Sequence, residues 1–237
     1  MFQLRRAIIQ PRKTVNITAF KERVKFMNYI ENGNADVEFT CSKDKPNIFL
    51  IGDSIRLGYC ETVKNTISDI ANVFYVGDNC RNTQYVITNL CGWQHKFNCP
   101  QLVDIVHFNC GRWDIAHWSG SDASLTSEDE YSKNINTIIV MLRKLFVNAK
   151  IVFATTTPMN PNGKVGVNPR TNSEIERYNR IAVNVAESNG ISVNDLNEFC
   201  RDWDSRYYAD YCHFTKTAFE CLGKEISLRL KNYLQDK

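Results

Sequence analysis

The chain has 237 residues, 43% of them apolar and 23% charged, with a formal net charge of +3 at pH 7. This composition excludes a disordered chain, and the length suits one α/β domain with a sizeable core better than two full domains. The weak charge argues against a nucleic-acid binder, which carries a marked basic excess or stripe, and no run reaches the ~18 apolar residues of a membrane span.

Residues 1–46 carry nine Lys/Arg against five Asp/Glu and read as an N-terminal extension of unassigned role, separate from a domain over 47–237. Arg5, Arg6, Arg12 and Lys13 suit a solvated surface rather than a polyanion site. No continuous apolar segment of the secretory type follows them, and a helix is predicted from Thr18 to Ile30. The nine cysteines include no C-x-x-C pair and no Cys/His ligand spacing. Several, such as Cys110 and Cys221, lie in apolar runs. Buried reduced thiols in a cytoplasmic protein are therefore expected, with no metal site and no cofactor.

From residue 47 onward short apolar runs alternate with amphipathic segments. Asn47-Ile-Phe-Leu-Ile-Gly52 reads as a buried strand closed by a glycine turn. Asn72 to Val76, Leu102 to Phe108 and Lys150 to Thr155 are three more, and Ile191 to Asn194 is a short fifth. Tyr131, Ile135, Ile138, Ile139, Leu142, Leu145 and Phe146 recur at helical spacing behind a Ser127/Glu130 capping-box pattern. Ser173 and Glu176 repeat that pattern ahead of Tyr178, Ile181, Ala182 and Val185, and Gly190 stands where a helix end needs positive φ. The last helix is predicted to begin near Thr215 and to present Phe219, Leu222, Ile226, Leu230 and Tyr233. This alternation implies a parallel sheet covered on both faces, with functional residues at the carboxyl ends of its strands. Met159 to Asn172, rich in Pro, Gly and Asn, reads as a loop over that end, in the position of a substrate lid.

Three segments at that end carry chemistry. The first strand runs into Gly52-Asp53-Ser54-Ile55, where a serine hydroxyl can face the crevice and its own N–H can point at a developing oxyanion. The third leads into His107-Phe-Asn109-Cys-Gly-Arg-Trp-Asp114, whose asparagine amide can serve the same oxyanion. Asp210-Tyr-Cys-His213 precedes the last helix. A histidine there can take the serine proton, and an aspartate three residues earlier can fix its tautomer. Taken singly, each is as easily a turn former or a structural histidine. Cys110 and Cys212 adjoin these residues, and side-chain alternation predicts that both thiols point away.

Together, and in this chain order, they resemble the SGNH/GDSL hydrolase superfamily over roughly residues 47 to 235. The strings Gly52-Asp-Ser-Ile-Arg-Leu-Gly-Tyr59, Asn79-Cys-Arg81, His107-Phe-Asn-Cys-Gly-Arg-Trp-Asp114 and Ala154-Thr-Thr-Thr-Pro158 are similar to a bacterial subfamily of poorly defined substrate. The resemblance implies a three-layer α/β/α sandwich with a flavodoxin-like central parallel sheet of about five strands, and ester hydrolysis without a metal. It implies Ser54 as nucleophile and first oxyanion donor, Asn109 as a further donor, His213 as base and Asp210 as its orienting acid.

Two departures concern the acyl pocket. Where the superfamily's second block supplies a glycine N–H to the oxyanion, this chain reads Asp78-Asn-Cys-Arg-Asn-Thr83, so a backbone N–H of Asn79, Cys80 or Arg81 is the expected substitute. In the third block His107 and Cys110 replace a glycine and an aspartate. Arg56 and Arg81 are candidates to fork onto a substrate carboxylate or phosphate, or else tie loops together. Asp53, Asn79 and Trp113 are further candidate substrate contacts, and Trp113, Trp118 and His117 suit either a sugar platform or a core cap. The expected substrate is a small acyl ester, acetyl foremost, on a carbohydrate or polyol. The alternatives are a lipase-like or thioester hydrolase for longer chains, a silent binding module on the same fold and, last, a flavodoxin-like cofactor binder, for which the phosphate-binding glycine motifs are missing.

Overall fold

The computed structural model describes residues 38–119 and 121–235. The helix predicted from Thr18 to Ile30 lies outside them. Five parallel strands, β1 (Asn47–Ile51), β2 (Asn72–Tyr75), β3 (Val103–Phe108), β4 (Lys150–Ala154) and β5 (Ser192–Asn194), form one sheet in the order β2-β1-β3-β4-β5. Every neighbouring pair is parallel, as the flavodoxin-like expectation requires. The order reverses between β1 and β3, and in open α/β sheets that reversal opens a crevice at the carboxyl ends of the two strands.

Successive side chains point to opposite faces and both faces are covered, which explains why the strands are mostly apolar runs. Phe49, Ile51, Val106, Phe108 and Phe153 point to one face, where α2 (Thr83–Gln94), α3 (Glu128–Leu145) and α4 (Asn172–Ser188) cover them. Ile48, Leu50, Ile105, Val152 and Ala154 point to the other, against α1 (Ser54–Thr66), the single turn α5 (Leu196–Phe199) and α6 (Lys216–Gln235). The three layers match the expected sandwich.

Helix starts follow local chemistry. Ser127 caps α3 by accepting the Glu130 N–H. The cap of α4 is two residues earlier than the sequence pattern indicated. Thr171, not Ser173, accepts from Glu174 N, and Glu174 returns the bond to Thr171 N at 2.9 Å. Both registers offer a Ser/Thr followed by a Glu three residues on. The earlier one also lets Glu174 bond His117 Nε2 at 2.6 Å. Gly190 takes φ +63°, as expected of a helix terminus.

Two sequence readings change. Phe39 lies against Phe97 and Phe49 in the core, so residues from 38 onward are part of this domain and the boundary at 46 is too late. All nine cysteines are unpaired, but Cys221 is exposed on α6 rather than buried, because it falls on the helix's outer side. Among the described residues no helix is long and apolar enough to cross a membrane.

Candidate active site

Two helix ends bring the key groups together. Asp53 caps α1, its Oδ1 accepting Ile55 N at 2.9 Å, which fixes Ser54 as the first helical residue directly after β1. Helix α6 begins just after His213 and packs along α1. That approach is close because Gly58 and Gly223 lack side chains. A Cβ on Gly58 would lie 2.2 Å from the Phe219 ring, and one on Gly223 would lie 2.7 Å from Thr62. The result spans 159 residues of sequence: His213 Nε2 is 2.9 Å from Ser54 Oγ.

On the ring's other nitrogen, Nδ1 is 3.0 Å from Asp210 Oδ2. Asp210 Oδ1 accepts the Cys212 and His213 N–H groups, both at 2.8 Å, so the carboxylate also fixes the turn that carries the imidazole. Burial would lower the His213 pKa, but the hydrogen bonds and charge of Asp210 and Cys212 overcome it and push the imidazole up to about 10. The Asp210 carboxyl, raised by burial alone, is held well below the ordinary carboxylate range by the same imidazole and the two backbone N–H groups. This chain of contacts can pass a proton from the serine hydroxyl to the imidazole and keep the positive ring paired afterwards.

Asn109 follows β3 and is nearly buried. Its Nδ2 donates to Ala154 O at 2.8 Å, which orients the amide and leaves the second Nδ2 hydrogen for another acceptor. The loop after β2 differs from expectation. Cys80 is removed as an oxyanion donor, because its N–H is spent on Gly52 O at 3.1 Å. Arg81 adopts φ +44°, a backbone region favoured by glycine. Its N–H donates to Asn79 Oδ1 at 3.1 Å.

Several candidate substrate contacts turn out to be scaffolding. The Arg56 guanidinium is buried and donates to Val76 O, Gly52 O and Asp78 O at 2.7, 3.2 and 2.5 Å, so it ties the end of β1 to the loop after β2 and cannot fork onto a substrate. Asp53 is 1% exposed and serves as the helix cap. Asn79 is buried beneath the loop it braces. Arg81 is exposed, with its guanidinium over the Tyr85 ring at 4.9 Å. Trp113 is half-buried, 6.0 Å between ring centroids from Trp118, which is 41% exposed.

Cys110 is fully buried, as expected, and burial pushes its thiol well up. Cys212 is not turned away. Its Sγ lies 3.4 Å from His213 Nδ1, because residues 210–213 form a tight turn instead of the extended segment that alternation presumes.

Sequence reasoning missed Arg112. This buried side chain donates to Thr157 O and Oγ1 at 2.8 and 2.6 Å and to Cys212 O at 3.2 Å. It thereby joins the loop after β4 to the His213 turn. Gly111, at φ +141° and with Thr156 Oγ1 only 2.6 Å from any added Cβ, makes the bend that sends Arg112 inward. The Met159–Asn172 loop also contacts that turn. Asn160 Nδ2 donates to Asp210 O at 3.2 Å, and Arg170 N donates to Tyr211 Oη at 3.0 Å.

The fold is shared with solved hydrolases. A lipase/acylhydrolase from Enterococcus faecalis superposes with a TM-score of 0.60 at 21% identity, over 79% of this chain and 96% of that one. The acetyl xylan esterase AlAXEase gives 0.60 at 17% identity over 78% and 99%, and Est24, a carbohydrate acetylesterase from Sinorhizobium meliloti, gives 0.61 at 13% over 79% and 99%. No family model matches the chain, and no curated protein matches it in sequence. The shared architecture is a three-layer α/β fold.

Proposed function

We propose that the protein is a serine esterase that hydrolyses small acyl esters, acetyl foremost, on a carbohydrate or similar polyol. The observation that carries this reading is the continuous contact from Ser54 Oγ through His213 to Asp210 at 2.9 and 3.0 Å. In the proposed reaction His213 Nε2 takes the Ser54 proton as the oxygen attacks the ester carbonyl. Asp210 stabilises the imidazolium, which then protonates the leaving alcohol, and water repeats the sequence to release the acid. The Ser54 N–H and the second Asn109 Nδ2 hydrogen face the oxyanion. The third donor in this reading is the Arg81 N–H, with Asn79 Oδ1 holding the acceptor position until the oxyanion displaces it.

A small acyl group is supported by the filled surroundings of Asn109, where Phe108, Cys110 and Arg112 are at most 2% exposed and leave little room for a long chain. A polyol is supported by the paired Trp113 and Trp118 rings, which offer aromatic faces beside the third block, and two of the structural neighbours bear carbohydrate-ester names. A series of p-nitrophenyl esters tests the assignment: the rate is expected to peak at acetate and fall steadily with chain length. A peak at octanoate or beyond would replace it with the lipase-like alternative, the one suggested by the name of the Enterococcus faecalis neighbour.

A further inference from the structure

The turn that carries His213 adds to the two groups used in ester hydrolysis a third donor, the Cys212 thiol, that the reaction does not use. Cys212 Sγ is 3.4 Å from His213 Nδ1, and Asp210 Oδ2 is 3.0 Å from the same nitrogen. Among the described residues, Asp210, Cys212 and His213 are the one group of three such side chains whose ligand atoms all lie within 4.8 Å of one another. A tetrahedral Zn²⁺ with thiolate, imidazole and carboxylate ligands at about 2.0–2.3 Å needs donors about 3.3–3.7 Å apart. Shifts of about an ångström or less would meet that spacing. The turn is already formed, because Asp210 Oδ1 is engaged by two backbone N–H groups while Oδ2 faces the ring. Asp210 and Cys212 are half-buried, so solvent reaches them. The Nε2 edge of the ring is closed by Ser54.

We propose that this turn is an inhibitory site for a thiophilic divalent cation, with Zn²⁺ the best match to its S, N and O donors. The inhibitory part rests on the esterase reading above. The mechanism is a change of tautomer. In the working state Asp210 keeps the ring proton on Nδ1, so the Nε2 lone pair faces Ser54 Oγ. A metal at Nδ1 takes that lone pair, and the one remaining ring proton resides on Nε2, pointing at Ser54. The ring then has no site for the serine proton. In the overall balance the Cys212 thiol gives its proton to solvent, the Nδ1 proton relocates to Nε2, and water completes the tetrahedron. Only protons move: no bond between heavy atoms of the protein breaks and nothing is oxidised or reduced, so removing the ion lets the protons return and restores the starting state.

The test uses the full chain freed of metal, with two readouts. Titration with Co²⁺ is expected to give a thiolate-to-metal charge-transfer band that saturates at one equivalent and is lost in Cys212→Ser. Separately, Zn²⁺ is added during p-nitrophenyl acetate hydrolysis, with each variant scored against its own metal-free rate. Wild type is expected to be inhibited and then restored by a chelator. In Cys212→Ser, half-inhibition is expected to need about ten-fold more Zn²⁺ or greater, while Cys221→Ser, which removes an exposed thiol elsewhere, behaves as wild type. Absence of the cobalt band in wild type, or equal inhibition of wild type and Cys212→Ser, would overturn the site. A Cys212-dependent band in a protein that hydrolyses no ester would sink the esterase reading and leave the metal site standing.

Discussion

On one face of the sheet α1 crosses α6 with Gly58 directly beneath the Phe219 ring and Gly223 against Thr62. On the other, α2, α3 and α4 close over an aromatic cluster in which Phe97 meets Phe39, Phe49, Phe74 and Phe146 at centroid distances of 4.8 to 5.5 Å. Both faces bury large apolar surfaces, but only the first sets the distance between Ser54 and His213. The aromatic face adds stability without touching those two residues. The glycine face turns the separation of two helices into the length of a hydrogen bond, so an error the size of a methyl group there reaches the chemistry.

That contrast can be broken or sharpened by substitution. The largest expected effect on turnover is at the oxyanion. Asn109→Ala should lower kcat roughly 100-fold or more, corresponding to about 2.7–4 kcal/mol of barrier, in a protein that stays folded but loses the buried bond to Ala154 O, at a cost of about 1–3 kcal/mol. Unchanged turnover in steady-state assays would remove Asn109 from the mechanism. Next is Gly58→Ala, whose new methyl has no room against Phe219. It is expected to destabilise the fold by about 1–3 kcal/mol in denaturant titration and to lower kcat by about ten-fold through misplacement of Ser54. The partner change Phe219→Leu should restore part of both. Phe97→Leu on the opposite face should cost about 1–2 kcal/mol of stability and leave kcat within about two-fold of wild type. If the two faces behave alike, the glycine crossing does not position the site.

A smaller effect concerns pH, measured with a chelator present. Burial lowers the His213 pKa, but Asp210 and Cys212 outweigh it and hold the imidazole well up. Protonated, the ring cannot accept the serine proton, so kcat/KM should climb as pH rises, with a midpoint above the ordinary histidine value of about 6.5. Cys212→Ser removes one of the groups that raise it and should bring the midpoint down. A midpoint below 6.5 in wild type would contradict the contacts described for Nδ1.

What could be read from the sequence follows from what kind of information each residue needs. Ser54, Asn109, Asp210 and His213 were legible because each falls at a strand end or just before a helix, where chain order and local pattern already limit the side chain's direction. The five strands were legible for the same reason, since buried parallel strands are short apolar runs. Arg112 was not, because nothing in the sequence marks a charged side chain for burial until Gly111 and the loop after β4 are in place. Cys80 was misjudged because the use of a backbone N–H depends on the neighbouring chain, here Gly52 O. Cys212 was misjudged because alternation holds for strands, and residues 210–213 are a turn. Charge alone left Arg56 between a substrate clamp and a tie between loops, and its carbonyl partners some 20 residues downstream make it the tie.

The account stands most directly on whether Ser54 is an activated nucleophile. Incubation of the intact protein with a fluorophosphonate, followed by peptide mass mapping, is expected to place a single adduct on the Ser54 peptide. Labelling is expected to be lost in Ser54→Ala and greatly slowed in His213→Ala. An adduct on another residue, or an unmodified Ser54 in folded protein at a pH where His213 is neutral, would contradict it.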